Sequence, residues 1–269
     1  MLKKNTIGDS ENNVRESMPI SFKIEVAKKN IEIRCSEKKV FALCKDYLSE
    51  FKRPDITVAV LRNDVYEETK DIIDWDDILN AQQLGIATNL IGFESIVVHR
   101  KISEAMLNFN IILLHGAAIA VGNRCYVFTA PSGTGKTTHV KKWLKKIPGS
   151  FIVNGDKPYI DVKKKLVYGS PWCGKEGMNT NTSIPLCGII SLERGEMNNI
   201  TLISYQEMLK VYLQQVYIPD DPETAVKAYQ LIGMLKNVPC YRLICNMEEE
   251  SAQVAYQGLC GDYDRELFI

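Results

Sequence analysis

Ala130-Pro131-Ser132-Gly133-Thr134-Gly135-Lys136-Thr137-Thr138 decides the fold of this chain. The stretch reads as a phosphate-binding loop. Such a loop needs glycines so that successive backbone N–H groups can turn inward onto a phosphate. It also needs a lysine to reach the terminal phosphates and a hydroxyl to hold magnesium. Gly133, Gly135, Lys136 and Thr137 supply those parts, with Ser132, Thr134 and Thr138 completing the cradle. Ala130 stands where such loops usually open with glycine.

The flanks support the reading. Arg124 to Thr129 is β-branched and aromatic and reads as a strand. Thr137 to Lys146 reads as a helix with Val140, Trp143, Leu144 and Ile147 on one face. Strand, glycine loop and helix is the required order, and the helix N-terminus adds partial positive charge behind the phosphates. The alternative is an ordinary Gly/Ser/Thr turn between two elements.

Upstream, Ile111 to Val121 reads as one strand, joined to Arg124–Thr129 by Gly122-Asn123, a hairpin composition. The strand entering the loop is therefore expected to pair antiparallel with its predecessor. Doubly wound nucleotide-binding sheets instead surround that strand with parallel neighbours. Downstream, Ser150 to Asn154 is a strand ending in Gly155-Asp156-Lys157-Pro158. Tyr159–Val162 and Leu166–Tyr168 form a second hairpin around three lysines, and Ile184–Leu192 is strand-like. Ser204 and Glu207 have capping-box spacing and open a helix to about Val216. Asp221-Pro222 opens another, and Cys240 to Asn246 is a last strand before a terminal helix.

The first part of the chain carries no catalytic motif. Residues 1–18 are polar and aperiodic and read as a disordered tail. Residues 19–108 read as a small α+β N-terminal domain. Its strands are Ile20–Val26, Ile31–Cys35, with a turn at Lys29-Asn30, and Ile56–Leu61. Its helices run from Ser36 to about Phe51 and from Asn89 to Asn108, around an acidic irregular stretch from Asp71 to Leu79. Residues 109–269 form the expected phosphate-loop domain.

Bulk properties narrow the classes. The 269 residues carry 33 basic and 33 acidic side chains, so nothing favours nucleic acid as a partner. Lys3 and Lys4 are followed by no apolar core, and the Ile111–Val121 run is too short for a membrane span. The eight cysteines show no CxxC spacing, which points to buried thiols in a cytoplasmic protein.

Chemistry at the loop needs a carboxylate at a neighbouring strand end. Asp156 is the candidate, either as a magnesium ligand or as part of a plain Asx-type turn. His115, amid small residues, is either a core histidine or a functional one; His99 and His139 read as structural. In the loop Pro171–Gly177, Lys175 could meet a phosphate and Glu176 could bind metal or a proton, or the two could form a surface ion pair. Trp172 reads as a packing anchor. Arg194 ends a strand, where it could stabilise a transferring phosphoryl group or sit exposed in a turn.

The sequence Leu114-His115-Gly116-Ala117, then hairpin, then Ser132–Thr137, then Asn154-Gly155-Asp156 resembles the HPr kinase/phosphorylase family. The loop also looks like that of ATP-dependent phosphoenolpyruvate carboxykinase. The block from His115 to Gly195 is most similar to HPr-kinase-like proteins of peptide biosynthesis clusters, including lasso-peptide serine kinases. The likeness does not extend to residues 1–108. It implies an α/β fold with a mixed sheet, flanking helices and an antiparallel loop-strand pair. It implies an ATP- and magnesium-dependent kinase whose acceptor is a hydroxyl, a serine of a peptide or protein above all, with a small-molecule hydroxyl as the alternative. It places His115 at the active site, Lys136 on the phosphates, and Thr137 and Asp156 on magnesium. HPr kinases assemble, so it also implies a homo-oligomer. Two features depart from the family: Gly155 stands where a first aspartate precedes the second, and the Arg-Gly-Leu-Gly signature is absent. A carboxykinase-like enzyme and a non-catalytic nucleotide-binding module are the remaining alternatives.

Overall fold

The computed structural model describes residues 20–71 and 92–260. The expected tail, most of the acidic stretch and the start of the helix at 89 lie outside the described residues.

A small sheet opens the chain. Strands β1 (Ile20–Val26) and β2 (Lys29–Cys35) pair antiparallel, and β3 (Ile56–Ala59) adds to β2 in parallel. The turn lies at Ala27-Lys28, both at positive φ (52° and 59°), rather than at Lys29-Asn30, which pair within the strands. Neither turn residue is glycine or asparagine, so composition did not mark it. The expected helix from Ser36 shortens to α1 (Lys38–Leu43) and a single 3₁₀ turn at Lys45–Tyr47. Val40, Cys44 and Tyr47 are buried while Leu43 and Leu48 are exposed, so the stripe does not keep one helical phase. Helix α2 (Arg62–Thr69) and the long α3 (Phe93–Met106) complete this part.

The larger sheet has nine strands. Its main path runs β4 (Ile111–Leu113), β8 (Tyr159–Asp161), β9 (Leu166–Tyr168), β10 (Ser183–Arg194), β6 (Arg124–Thr129), β5 (Gly116–Val121) and β7 (Ser150–Asn154). Strand β12 (Cys240–Cys245) joins β10 in parallel, and β11 (Asn199–Ile203) pairs antiparallel with β12. Sequence reading had no strand at β11; its exposed apolar residue Leu202 breaks the usual burial pattern. The sheet is mixed and open, with helices on both faces.

Those helices explain the sequence pattern of the central strands. Cys125 and Val127 of β6 pack on one side with Met208 and Tyr212 of α5 (Tyr205–Gln215) and Ala228 and Leu231 of α6 (Pro222–Met234). Tyr126 and Phe128 pack on the other with Val140 and Trp143 of α4 (Lys136–Lys146) and Ala252 and Tyr256 of α7 (Glu250–Cys260). A strand buried on both faces reads as a continuous apolar run, as β5 and β6 do. On α4 the inward stripe is His139, Val140 and Trp143; Leu144, expected to join it, is exposed. The capping box at Ser204/Glu207 and the Asp221 N-cap with Pro222 are formed as expected.

The N-terminal part shares a core with the chain beyond it. Its core of Ile24, Ile31, Ile33, Val98 and Ile102 continues into Ile111, Leu113, Tyr159, Tyr168 and Trp172 of the larger sheet's margin. All eight cysteines are free, seven of them buried. No helix among the described residues is long and apolar enough to cross a membrane.

Burial gives two histidines a measurable consequence. His139 accepts from the Trp143 indole N–H at 3.1 Å, and His99 stacks on Trp172 at 4.6 Å. Desolvation pushes each imidazole down from 6.5 to about 3. Both rings stay neutral in the fold while the unfolded chain protonates near pH 6.5. Stability is therefore complete above pH 6.5 and falls as pH drops toward 3. Each ring should cost about 3 kcal/mol at pH 4.5. Urea unfolding at pH 7 and 4.5 measures the loss, and the two ring resonances should not titrate in the native protein between those values. Titration of either ring near pH 6 would contradict the account.

Candidate phosphate-loop site

Topology gathers the candidate residues before any side chain is considered. Strand β6 ends at the loop. Strand β5 runs antiparallel to it, with Gly116 opposite Thr129, so the start of β5 lies at the same edge. Strand β7 runs antiparallel to β5, with Asn154 opposite Ala118, and so ends at that edge too. Strand β10 runs parallel to β6, with Ser191 opposite Thr129, and also finishes there. His115, the loop, Asp156 and Arg194 therefore share one margin of the sheet.

The loop itself has the required backbone. Gly133 and Gly135 sit at φ 78° and 119°, a region that L side chains rarely adopt, and Gly135 leads directly into α4. Helix α4 thus aims its unpaired first N–H groups at the space the glycines leave open. Ala130 needs no such freedom. It is buried against the α4 side of the sheet, and its carbonyl accepts from Lys136 Nζ at 2.8 Å. Pro131 O accepts from the same ammonium at 3.3 Å. Burial lowers the Lys136 pKa and the Asp156 charge opposes that. Lys136 is thus a desolvated cation folded onto its own loop.

The expected strand Ile111–Val121 is broken. Leu114 and His115 lie between β4 and β5, so His115 is not mid-strand. Its N–H donates to Gln215 O at 2.8 Å, and Gly116 N–H donates to Asp156 O at 2.8 Å. These bonds bring the end of α5 and the turn after β7 against the break. His115 Nε2 then stands 3.3 Å from Asp156 Oδ1, both side chains about one-third exposed. The His115 hydrogen bond holds the Asp156 carboxyl below its ordinary range against desolvation, aided by Lys157 and Lys136.

Asp156 is free for this because Asn154 makes the turn. Asn154 Oδ1 accepts from the N–H groups of Asp156 and Lys157 at 2.9 and 2.7 Å, and its amide donates to Ser170. The Asx turn that sequence offered as the alternative role for Asp156 belongs to Asn154. Position 155 is closely packed: a Cβ there would lie 3.1 Å from Cys173 O and 3.3 Å from Met178 O. An aspartate at 155 would press its side chain against two carbonyl oxygens, so this backbone carries a single carboxylate at that strand end.

Other candidates lie further out. Arg194 donates from Nε to Thr134 O at 3.0 Å and from Nη2 to Gly133 O at 2.5 Å. It braces the loop instead of facing the His115–Asp156 pair. Arg194→Ala should weaken nucleotide binding about fivefold, read by calorimetry, since exposed charged hydrogen bonds are worth about 1 kcal/mol. Glu176 pairs with Lys141 of α4 at 2.7 Å on the surface, and Lys175 is exposed. Their loop nonetheless touches the site through Gly174, where a Cβ would meet that of Asp156 at 3.0 Å. Trp172 is the anchor expected, buried and donating to Ser95 O at 3.2 Å.

Beside the pair opens a cleft of about 550 Å³. Ser132, His115 and Asp156 line it together with Ile96, His99 and Ser103 of α3. His99, read from sequence as structural, is buried in its stack with Trp172 and also lines the cleft, as does Gln215, which nothing local connects with the loop. Among the described residues, no three His, Cys, Asp or Glu side chains cluster as a metal cage. Comparison with protein-family models and with curated proteins finds no match for this chain.

Proposed function

We propose that the protein is an ATP- and magnesium-dependent kinase of the HPr-kinase-like kind, transferring the γ-phosphoryl group to a hydroxyl, a serine of a peptide or protein being the favoured acceptor. The observation that carries this reading is the His115–Asp156 pair, 3.3 Å apart, between the phosphate loop and an open cleft. The pair sets a carboxylate held in its charged form beside the loop and at the wall of a space an acceptor could enter.

The backbone of 132–138 and the Lys136 ammonium hold the β- and γ-phosphates. Lys136 leaves the Ala130 and Pro131 carbonyls when phosphate offers a better partner, which its desolvated state favours. Thr137 and Asp156 offer oxygen donors that suit a hard cation sharing substrate phosphate and water. Magnesium, when bound, supplies charge neutralisation of the phosphates. The acceptor hydroxyl enters from the cleft. Asp156 orients it and takes its proton as the oxygen bonds to the γ-phosphorus and the bond to the β-phosphate oxygen breaks. His115 fixes the carboxylate's direction and supports its charge. Arg194 keeps the loop in shape.

Incubation with γ-labelled ATP, magnesium and serine-containing peptides tests the reading. Label should pass to peptide. Nucleotide binding with neither transfer nor hydrolysis would favour a binding module.

A further inference from the structure

Two buried hydroxyls end on the backbone that carries the His115–Asp156 pair. Thr129 closes β6 and is wholly buried, and its Oγ1 donates to His115 O at 2.8 Å. Ser170 lies just after β9 and is also wholly buried. Its Oγ donates to Lys157 O at 3.0 Å and accepts from the Asn154 amide at 3.0 Å. His115 and Lys157 both lie outside the strands, so side-chain donors supply what a ladder supplies elsewhere. Glycine permits both approaches. A Cβ on Gly116 would lie 2.9 Å from Phe128 O, and one on Gly169 would lie 2.9 Å from Val153 O.

Any buried hydroxyl tends to find a carbonyl. These two find carbonyls on either side of one contact. The His115 N–H donates to Gln215 O and the Gly116 N–H donates to Asp156 O. With Thr129 on its carbonyl, the His115 backbone is held at both polar groups. Across the pair, Asn154 takes the N–H groups of Asp156 and Lys157, and Ser170 takes the Lys157 carbonyl. The 3.3 Å separation therefore rests on Thr129 from one side and on Ser170 from the other. Both tethers are uncharged. They fix direction without adding charge to a place where His115, Lys157 and Lys136 already act on Asp156. Thr129 also directly precedes Ala130, so one side chain registers His115 against the phosphate loop.

Resting on the kinase reading above, we propose that Thr129 and Ser170 are positioning residues for the transfer, holding the imidazole and the carboxylate in register through the His115 and Lys157 carbonyls. Both hydroxyls are shut off from solvent, so they act only through the pair. Misplacing reacting groups by about 1 Å costs rate far more than binding. Loss of either donor should therefore appear in turnover and leave affinity alone.

Thr129→Val keeps the side-chain shape and deletes the donor, Ser170→Ala deletes the other donor, and Thr129→Ser keeps the hydroxyl. In transfer to serine-containing peptides, Thr129→Val and Ser170→Ala should each lower kcat about tenfold, with KM and ATP affinity within about twofold of wild type. Thr129→Ser should restore most of the rate. In a His115→Ala background Thr129→Val should cost nothing further, because its tether then ends on no imidazole. Full activity in both donor-deleted variants, a KM rise that matches the loss of rate, or an undiminished loss in the His115→Ala background overturns the positioning role. Ser170→Ala carries the same test should Thr129→Val fail to fold. Crystal structures of the variants without nucleotide give a readout that needs no activity. His115 Nε2 and Asp156 Oδ1 should part beyond hydrogen-bond distance in the donor-deleted variants and stay together in Thr129→Ser. A parted pair in a protein that transfers no phosphoryl group supports the tethers and removes the kinase reading. A pair unmoved in both variants overturns the tethers whatever the activity.

Discussion

Asp156→Asn should reduce phosphoryl transfer by about 10³- to 10⁴-fold while weakening nucleotide binding by no more than about tenfold. The substitution changes one atom in a side chain already one-third exposed, so the fold is retained. It removes the negative charge that the proposed mechanism sets against the acceptor proton and the cation, and it leaves the backbone N–H bonds donated to Asn154 Oδ1 untouched. The separation between the two losses is the informative part, because the proposed mechanism puts the carboxylate in the transition state and nucleotide binding on the loop. Single-turnover transfer and calorimetry on the same preparation measure it. A variant that transfers at near wild-type rate would remove Asp156 from the centre. The pH profile follows from the same pair. His115 holds the carboxyl below its usual range, so Asp156 is charged throughout neutral and mildly acidic solution. An acid limb belonging to Asp156 should lie below about pH 4.

Lys136→Ala should lower kcat/KM for ATP by about 10³-fold or more, through loss of binding as well as of rate. The ammonium is the one desolvated cation within the loop, and a buried charge aimed at phosphate gains more than an exposed one. Its two resting hydrogen bonds go to loop carbonyls and not to the core. Thermal unfolding should therefore shift by a few degrees only, and Lys136→Met, which keeps the aliphatic stem, should shift least. Unchanged ATP affinity in either variant would sink the assignment of the loop.

The parts of this structure readable from sequence were those set by neighbours along the chain. The strand, glycines and helix around 124–146 declare themselves within 25 residues, as do the hairpin at Gly122-Asn123 and the caps at Ser204 and Asp221. The antiparallel partner of the loop strand followed from that hairpin. Features set by distant pairing were hidden. The break at Leu114–His115 lies inside a run that is apolar but for His115, because β4 joins β8 and β5 joins β6 and β7, and each is buried. The turn at Ala27-Lys28 carries no turn residue. Asn154 looked like a strand end, and its role as the Asx acceptor shows only when Asp156 and Lys157 are seen folded over it. His99 and Gln215 lie more than a hundred residues apart in the chain, and only the shared cleft relates them. Lys175 and Glu176 attracted notice for their chemistry, yet Glu176 is spent on Lys141 at the surface.

The most direct test of the central claim is a crystal structure with magnesium and a non-hydrolysable ATP analogue. The account predicts the γ-phosphate over the backbone of 133–138, Lys136 moved from the Ala130 carbonyl onto the β- and γ-phosphates, and the Asp156 carboxylate facing the γ-phosphate from the cleft side. A nucleotide bound elsewhere, or a γ-phosphate turned away from His115 and Asp156 with Lys136 still on Ala130, would contradict it.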